Sequence, residues 1–173
     1  DPGGLPDAGV YVGTEAVLHR IDKASRVVFL EFDQELLAPR FRAAEQAMGL
    51  LVRAARLLGP RSNGGRLVVQ TRQSDHEVLQ AALHADPGRL VGPELERRRF
   101  LGLPPHSVLA RVSGSVAAEF VGRLGQPDGI DVLGPRNGAW LVRAVDHDQL
   151  TEALVGVDRP RGGLQLQVDP PRV

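Results

Sequence analysis

The sequence predicts an α/β chain in two parts, and three observations carry that prediction. Short, nearly continuous apolar runs of strand length stand apart in the first ninety residues, as strands of a parallel sheet covered on both faces do. Between two of them lies a long segment whose apolar residues recur every three to four positions, the period of a helix. Beyond residue 107 the pattern changes to strands that alternate apolar with polar residues, interleaved with two more helical stripes.

In order, Asp1 to Gly9 is rich in Gly, Pro and Asp and reads as a loose lead-in. Val10 to Val12 is a short first strand, followed by Gly13 and Thr14. Val27 to Phe32 (VVFLEF) is the second strand and Leu67 to Gln70 the third. Between these two, Pro39 to Leu58 forms an amphipathic helix with Ala47, Leu50, Leu51, Ala54, Leu57 and Leu58 on one face and Arg42, Glu45, Arg53 and Arg56 on the other. It stops at Gly59-Pro60. Ser74-Asp75-His76-Glu77 reads as a capping box for a helix presenting Val78, Leu79, Ala82 and Leu83, ended by Asp86-Pro87-Gly88. The order strand, strand, helix, strand, helix implies a parallel sheet, and three strands make this half read as truncated.

From Pro93 a charged helix, ELERRRFLGL, runs into Leu103-Pro104-Pro105, where proline must break it. The boundary is expected there, giving a first domain over 1–92, a linker over 93–106 and a second domain over 107–173. Val108, Ala110 and Val112 alternate as a strand. Ser115 is placed to cap a helix with Val116, Ala117, Phe120, Val121 and Leu124 inside. Ile130 and Val132 mark a strand, Gly134 to Gly138 a turn, and Ala139 to Val145 the next strand. Asp146 with Gln149 opens a helix carrying Leu150, Ala153, Leu154 and Val157, and Leu164, Leu166 and Val168 close the domain. That order is βαββαβ, the ferredoxin-like pattern.

Composition removes whole classes of function. There are 21 basic and 21 acidic residues, so the chain is no bulk polycation. The complete lack of cysteine excludes thiol catalysis, disulfides and cysteine zinc sites in this segment. No apolar run approaches the roughly 20 residues that span a bilayer, and the start lacks a signal core; a cytoplasmic, nucleoid-associated protein without membrane contact is expected. Asp1 is not an initiator methionine and Met48 is the sole Met, which suggests a piece of something longer.

No metal site is expected: the five histidines are scattered, and His76 and His84, two helical turns apart, are too distant to share an ion. No catalytic residue is assigned, since no serine sits in a G-x-S-x-G elbow and no glycine loop forms a phosphate cradle. Glu31 and Asp33 would share one side of a strand and stay carboxylate candidates only. Arg97-Arg98-Arg99 spreads around its helix, either as a solvated helix end or as a phosphate-contacting edge. The richer constellation follows from strand alternation. If Val108, Ala110, Val112, Trp140, Val142 and Ala144 face the helices, then Leu109, Arg111, Leu141, Arg143, Gln165 and Gln167 share the open face. Arg111 and Arg143 then lie close together, on a surface suited to phosphate backbone or to docking another domain, the leucines favouring docking.

Taken in order, VGTEAV, LEFD, FRAAEQ, LVVQT, LERRRFLGLPP, VLGP and the terminal VDPP resemble the primosomal replication-restart family, primosomal protein N′ or PriA, from about Val10 to Pro171. The resemblance implies that the first half is part of a RecA-like second helicase lobe and the second half the family's C-terminal domain. It implies binding to branched and single-stranded DNA at stalled forks, cooperation with the single-strand-binding protein and with replicative-helicase loading factors, and, in active members, ATP-driven 3′ to 5′ translocation. Zinc and ATP would belong upstream of Asp1, with no cofactor in this segment. Gly13, Thr14 and Glu15 match one helicase motif, but Leu18 to Lys23 replaces a glycine- and histidine-bearing stretch. In the next motif Arg53 stands for a glutamine, Arg56-Leu57 for a first Gly-Arg pair and Gly59-Pro60 for a second. Both arginine fingers are lost, and such a finger is worth about 10³ to 10⁵ in rate. A degenerate, actinobacterial-type member without helicase activity is therefore expected; the alternatives are an active helicase in the full-length protein and an interaction module without DNA affinity. Arg98, Pro104 and Pro105 match the linker motif and Trp140 a family tryptophan, while Arg136-Asn137-Gly138-Ala139 replaces a longer basic loop. The residues expected to meet DNA are Arg97, Arg98, Arg111, Arg136, Trp140 and Arg143.

Overall fold

Two strands and one long helix organise the first ninety residues of the computed structural model, which describes residues 8–170. The lead-in expected over Asp1 to Gly9 lies outside the described residues except for its last two. Strands β1 (Arg26–Phe29) and β2 (Arg66–Val69) run parallel, with Val27 opposite Leu67 and Phe29 opposite Val69. Only one face of this pair is covered: Phe29, Leu67 and Val69 pack on the core while Val28 and Val68 remain 54% and 49% exposed. The sequence predicts burial on both faces and a third strand at Val10 to Val12. Instead Val10 and Val12 are 79% and 92% exposed and belong to no strand, because among the described residues no neighbour offers them a ladder of hydrogen bonds.

The expected strand Val27 to Phe32 is also cut short. Glu31 turns the chain with a φ of 52°, and helix α1 (Asp33–Leu36) begins at once. Glu31 and Asp33 therefore do not share a strand face. Glu31 accepts a hydrogen bond from Gln34, whereas the Asp33 carboxylate accepts from the Thr71 hydroxyl and from the Arg72 backbone N–H. With the Phe32 N–H on the Gln70 carbonyl, this pins the carboxyl ends of both strands together.

Helix α2 (Ala43–Leu58) supplies most of the first core: Ala47 and Ala54 are fully buried and Leu51 nearly so. It starts four residues after Pro39, since Arg42 is not helical and Arg40 turns back to Glu35 at 2.6 Å. It ends at Gly59, whose φ of 69° a side chain would resist. Helix α3 (Glu77–Leu83) buries Val78 and Leu79 beside it; its cap is the His76 ring, accepting from the Val78 N–H, rather than the Ser74 hydroxyl.

Residues 92 onward form a second compact unit. Helix α4 (Val91–Leu101) is inverted in its burial, for it hides Glu94 and Arg98 and exposes Phe100 to 89%. Arg98 donates to Glu94 at 2.9 Å and to the Pro104 carbonyl at 3.4 Å, fastening the helix to the diproline turn. Strand β3 (Val108–Ser113), helix α5 (Ala117–Leu124), strands β4 (Asp131–Arg136) and β5 (Ala139–Ala144), helix α6 (His147–Val155) and strand β6 (Gln165–Val168) follow. The four strands form one antiparallel sheet in the order β4-β5-β3-β6, and the two helices cover one face through Val112, Phe120, Val142 and Leu150. Asp146 caps α6 through the Gln149 N–H, as its spacing predicts. Ser115 does not cap α5; its hydroxyl accepts from the Gly163 N–H. The turn expected over Gly134 to Gly138 shrinks to Asn137-Gly138, and β4 extends through Gly134 and Pro135 by a register shift. Among the described residues no helix is long and apolar enough to cross a membrane.

Two outcomes follow from these ties. The bonds from Thr71 and then Arg72 hold the Asp33 carboxyl below the usual aspartate value, against a smaller opposing effect of burial. A depressed folded pKa contributes stability above about pH 4 that is lost as pH falls through the folded value. Asp33→Asn should therefore flatten the acid limb of stability against pH, read by circular dichroism melts between pH 2 and 6 (chosen to bracket the ordinary value). Arg98→Ala leaves Glu94 with Arg97 but removes its buried partner and the tie to Pro104, and should cost about 1 to 3 kcal/mol in urea denaturation.

Candidate nucleic-acid interface

The face of the second sheet that carries no helix is built by cross-strand register. Leu109 lies opposite Arg143 and Arg111 opposite Leu141 on β3 and β5, Arg111 meets Gln167 on β6, and Asp131 and Leu133 meet Arg143 and Leu141 on β4. Three rows result: Asp131, Arg143, Leu109; then Leu133, Leu141, Arg111, Gln167; then Arg136, Ala139, Ser113, Gln165. In an antiparallel sheet directly opposed residues share a face, so Arg111 and Arg143 are diagonal neighbours on it.

The two arginines do different things. Arg143 is occupied: its Nε and Nη2 donate to Asp131 at 3.0 and 2.7 Å, and its Nη1 donates to the carbonyls of Leu101 and Gly102 at 3.0 and 3.3 Å. Those carbonyls end α4, where a cation is favoured. The end of the linker thus reaches over the first row, and Leu109, expected on an open surface, is only 1% exposed. Arg111 stays half-buried in the middle row, where its Nη1 donates to Ser113 at 3.2 Å and Ser113 in turn reaches Gln165 at 3.5 Å. Gln165, Gln167 and Leu133 are exposed beside it.

The remaining residues expected at DNA are dispersed. Arg98 is 7% exposed and bound to Glu94 and Pro104, so it serves the joint. Arg97 is exposed on the same helix and ion-paired with Glu94. Trp140 stands opposite Val112 and packs on the helix-covered core, away from the open face. Arg136 is exposed in the β4–β5 hairpin. Leu133 was not legible as a member of the face, because VLGP reads as strand passing into turn and only the register shift keeps β4 in line.

In the first unit, five of the six residues matched to helicase motifs by resemblance, Gly13, Thr14, Glu15, Arg56 and Gly59 but not Arg53, line an open groove of about 1460 Å³. A 3-10 turn over Glu15–His19 follows Thr14, and Gly13 has no room for a side chain because Val17 lies 2.6 Å from where a Cβ would sit. Arg53 is drawn inward, its Nε donating to the Leu18 carbonyl at 2.8 Å. Leu57 is buried in the contact of α2 with the rest of the unit, and Arg56 is exposed. Among the described residues no group of three or more His, Cys, Asp or Glu could hold a metal ion.

No family model matches the chain. It is similar to the replication restart protein PriA of Treponema pallidum (strain Nichols), 32% identical over 114 residues that make up 60% of this chain and 17% of that protein. The probable replication restart protein PriA of Mycobacterium leprae (strain TN) is 34% identical over 54% of this chain and 15% of its own length. Replication restart protein PriA of Haemophilus influenzae is 28% identical over 140 residues, 73% of this chain and 19% of that protein. The chain thus spans less than a fifth of the length of these relatives. The chain is thus similar to part of the replication restart protein PriA of three distant bacteria.

Proposed function

We propose that the chain is the DNA-docking portion of a replication-restart protein, a partial helicase lobe followed by a ferredoxin-like domain, acting at branched or single-stranded DNA without a working motor of its own. The observation that carries this reading is the open sheet face, where Arg111 is held by Ser113 and flanked by two exposed glutamines, and where the carboxylate of the neighbouring row, Asp131, is already paired with Arg143. Such a surface attracts a polyanion, and the exposed Arg136, opposite Ala139, extends its positive edge. Arg143 supports the site rather than joining it, since its charge is answered by Asp131.

The absence of a motor rests on α2. Leu57, at the first arginine-finger position, is buried, and Pro60, at the second, has neither a charge nor a donor. Arg53 is tied to Leu18, and the cations that line the groove, Arg56 with Arg20, Lys23 and Arg26, do not stand at either finger position. A second reading, a module that docks proteins such as the single-strand-binding protein or helicase-loading factors, draws on the 89% exposure of Phe100 and the 45% exposure of Leu133.

Fluorescence anisotropy of the chain with labelled forked and single-stranded DNA decides between these readings. Binding should weaken as salt rises, with a log–log slope of about 0.7 to 0.9 per phosphate contacted. The double variant Arg111→Ala/Arg136→Ala should reduce affinity and shallow that slope by about two contacts; wild-type binding that ignores salt removes the DNA role. In the full-length protein, fork-stimulated ATP turnover should be lower by about 10³ or more than that of a helicase with both arginine fingers. Turnover at the level of an active helicase overturns the reading of a lost motor.

A further inference from the structure

On the basis of the DNA-docking reading above, we infer that the middle and outer rows of the open face take unpaired nucleobases, with Arg111 as the anchoring side chain, rather than the phosphate backbone of a duplex. The middle row crosses all four strands through Leu133, Leu141, Arg111 and Gln167, a width of three inter-strand spacings or about 14 Å. Its chemistry is mixed in a particular way. Two leucines offer aliphatic surface, one guanidinium offers a planar cation, and Gln165 and Gln167 each bring an amide that both donates and accepts.

Duplex backbone is a poor fit to that set. It presents one negative charge per about 1.7 Å, and an interface for it needs several cations in line. The two rows hold only two arginines, Arg111 and, at the hairpin end of the outer row, Arg136 opposite Ala139, because Arg143 in the first row is spent on Asp131 and on two carbonyls. Phosphates over Leu133 and Leu141 would also lose water without gaining a partner. Bases match better. Their faces stack on guanidinium planes, their flat apolar surface covers leucine, and their edges need the donors and acceptors that glutamine provides. Arg111 is prepared for this role: the bond from its Nη1 to Ser113 and the link from Ser113 to Gln165 restrain the guanidinium along the face before any ligand arrives.

The test uses the whole chain with four labelled probes: a mixed-sequence single strand, the same strand carrying abasic sites in its central third, the corresponding duplex and a fork. The intact strand should bind at least ten times more tightly than the abasic strand and than the duplex. Arg111→Lys, which keeps the charge but loses the planar fork, should lower single-strand affinity about fivefold with little change in salt slope. Gln167→Ala, an exposed substitution on an edge strand, should lower it two- to threefold with an unchanged melting temperature. If the abasic strand or the duplex binds as well as the intact strand, base contact is refuted while DNA docking stands. If no probe binds at low salt, the docking reading falls and this inference with it.

Discussion

Strand β3 lies against strand β5 with Ala110 opposite Val142, Val112 opposite Trp140 and Arg111 opposite Leu141, and this register governs the second unit. Because side chains alternate with a period of two, a slip of one residue would carry Ala110, Val112 and Val142 into water and drive Arg111 into the space filled by Phe120 and Leu150. The apolar set is fully buried, so the hydrophobic effect holds the register against that exchange. Everything on the other face inherits its position from it, including the diagonal relation of Arg111 and Arg143 and the line of Leu133 with Leu141.

Within that frame, charge is used in two ways. Glu94 and Arg98 are buried together on α4 and act through geometry, tying the helix to the Pro104 carbonyl, while Arg143 ties the end of the same helix to the sheet. Both arginines belong to motifs that a reading by charge assigns to nucleic acid. Their partners show that they hold the LPP joint. Arg111 differs in one respect: among the described residues its partner is a neutral hydroxyl, so its charge remains available on the face.

The first unit shows a related economy. Asp33 serves Thr71 and Arg72 where LEFD and LVVQT meet, and Arg53 serves Leu18 where the long helix meets the turn after Thr14. Both side chains thus address the protein itself. Gly13, Thr14, Arg56 and Gly59, far apart in sequence, line one groove of this unit.

Much of the fold was legible because periodicity reports burial directly. The stripe from Ala47 to Leu58, the βαββαβ order, and the helix-facing set Val108, Ala110, Val112, Val142 and Ala144 all reflect which side chains leave water. The direction of Arg111, Gln165 and Gln167 onto the opposite face follows from the same alternation. What alternation could not supply was the occupant of each surface. Val10 to Val12 has the composition of a strand, yet a strand exists only with a neighbour to share its hydrogen bonds, and none is placed beside it among the described residues. Leu109 has the address of an exposed residue, yet the linker's return closes that end of the face. The ion pairs of Arg98 and Arg143 were likewise decided by tertiary structure, because whether a guanidinium meets a ligand or a carboxylate depends on which groups the folded chain brings within about 3 Å of it, and no periodicity encodes that distance.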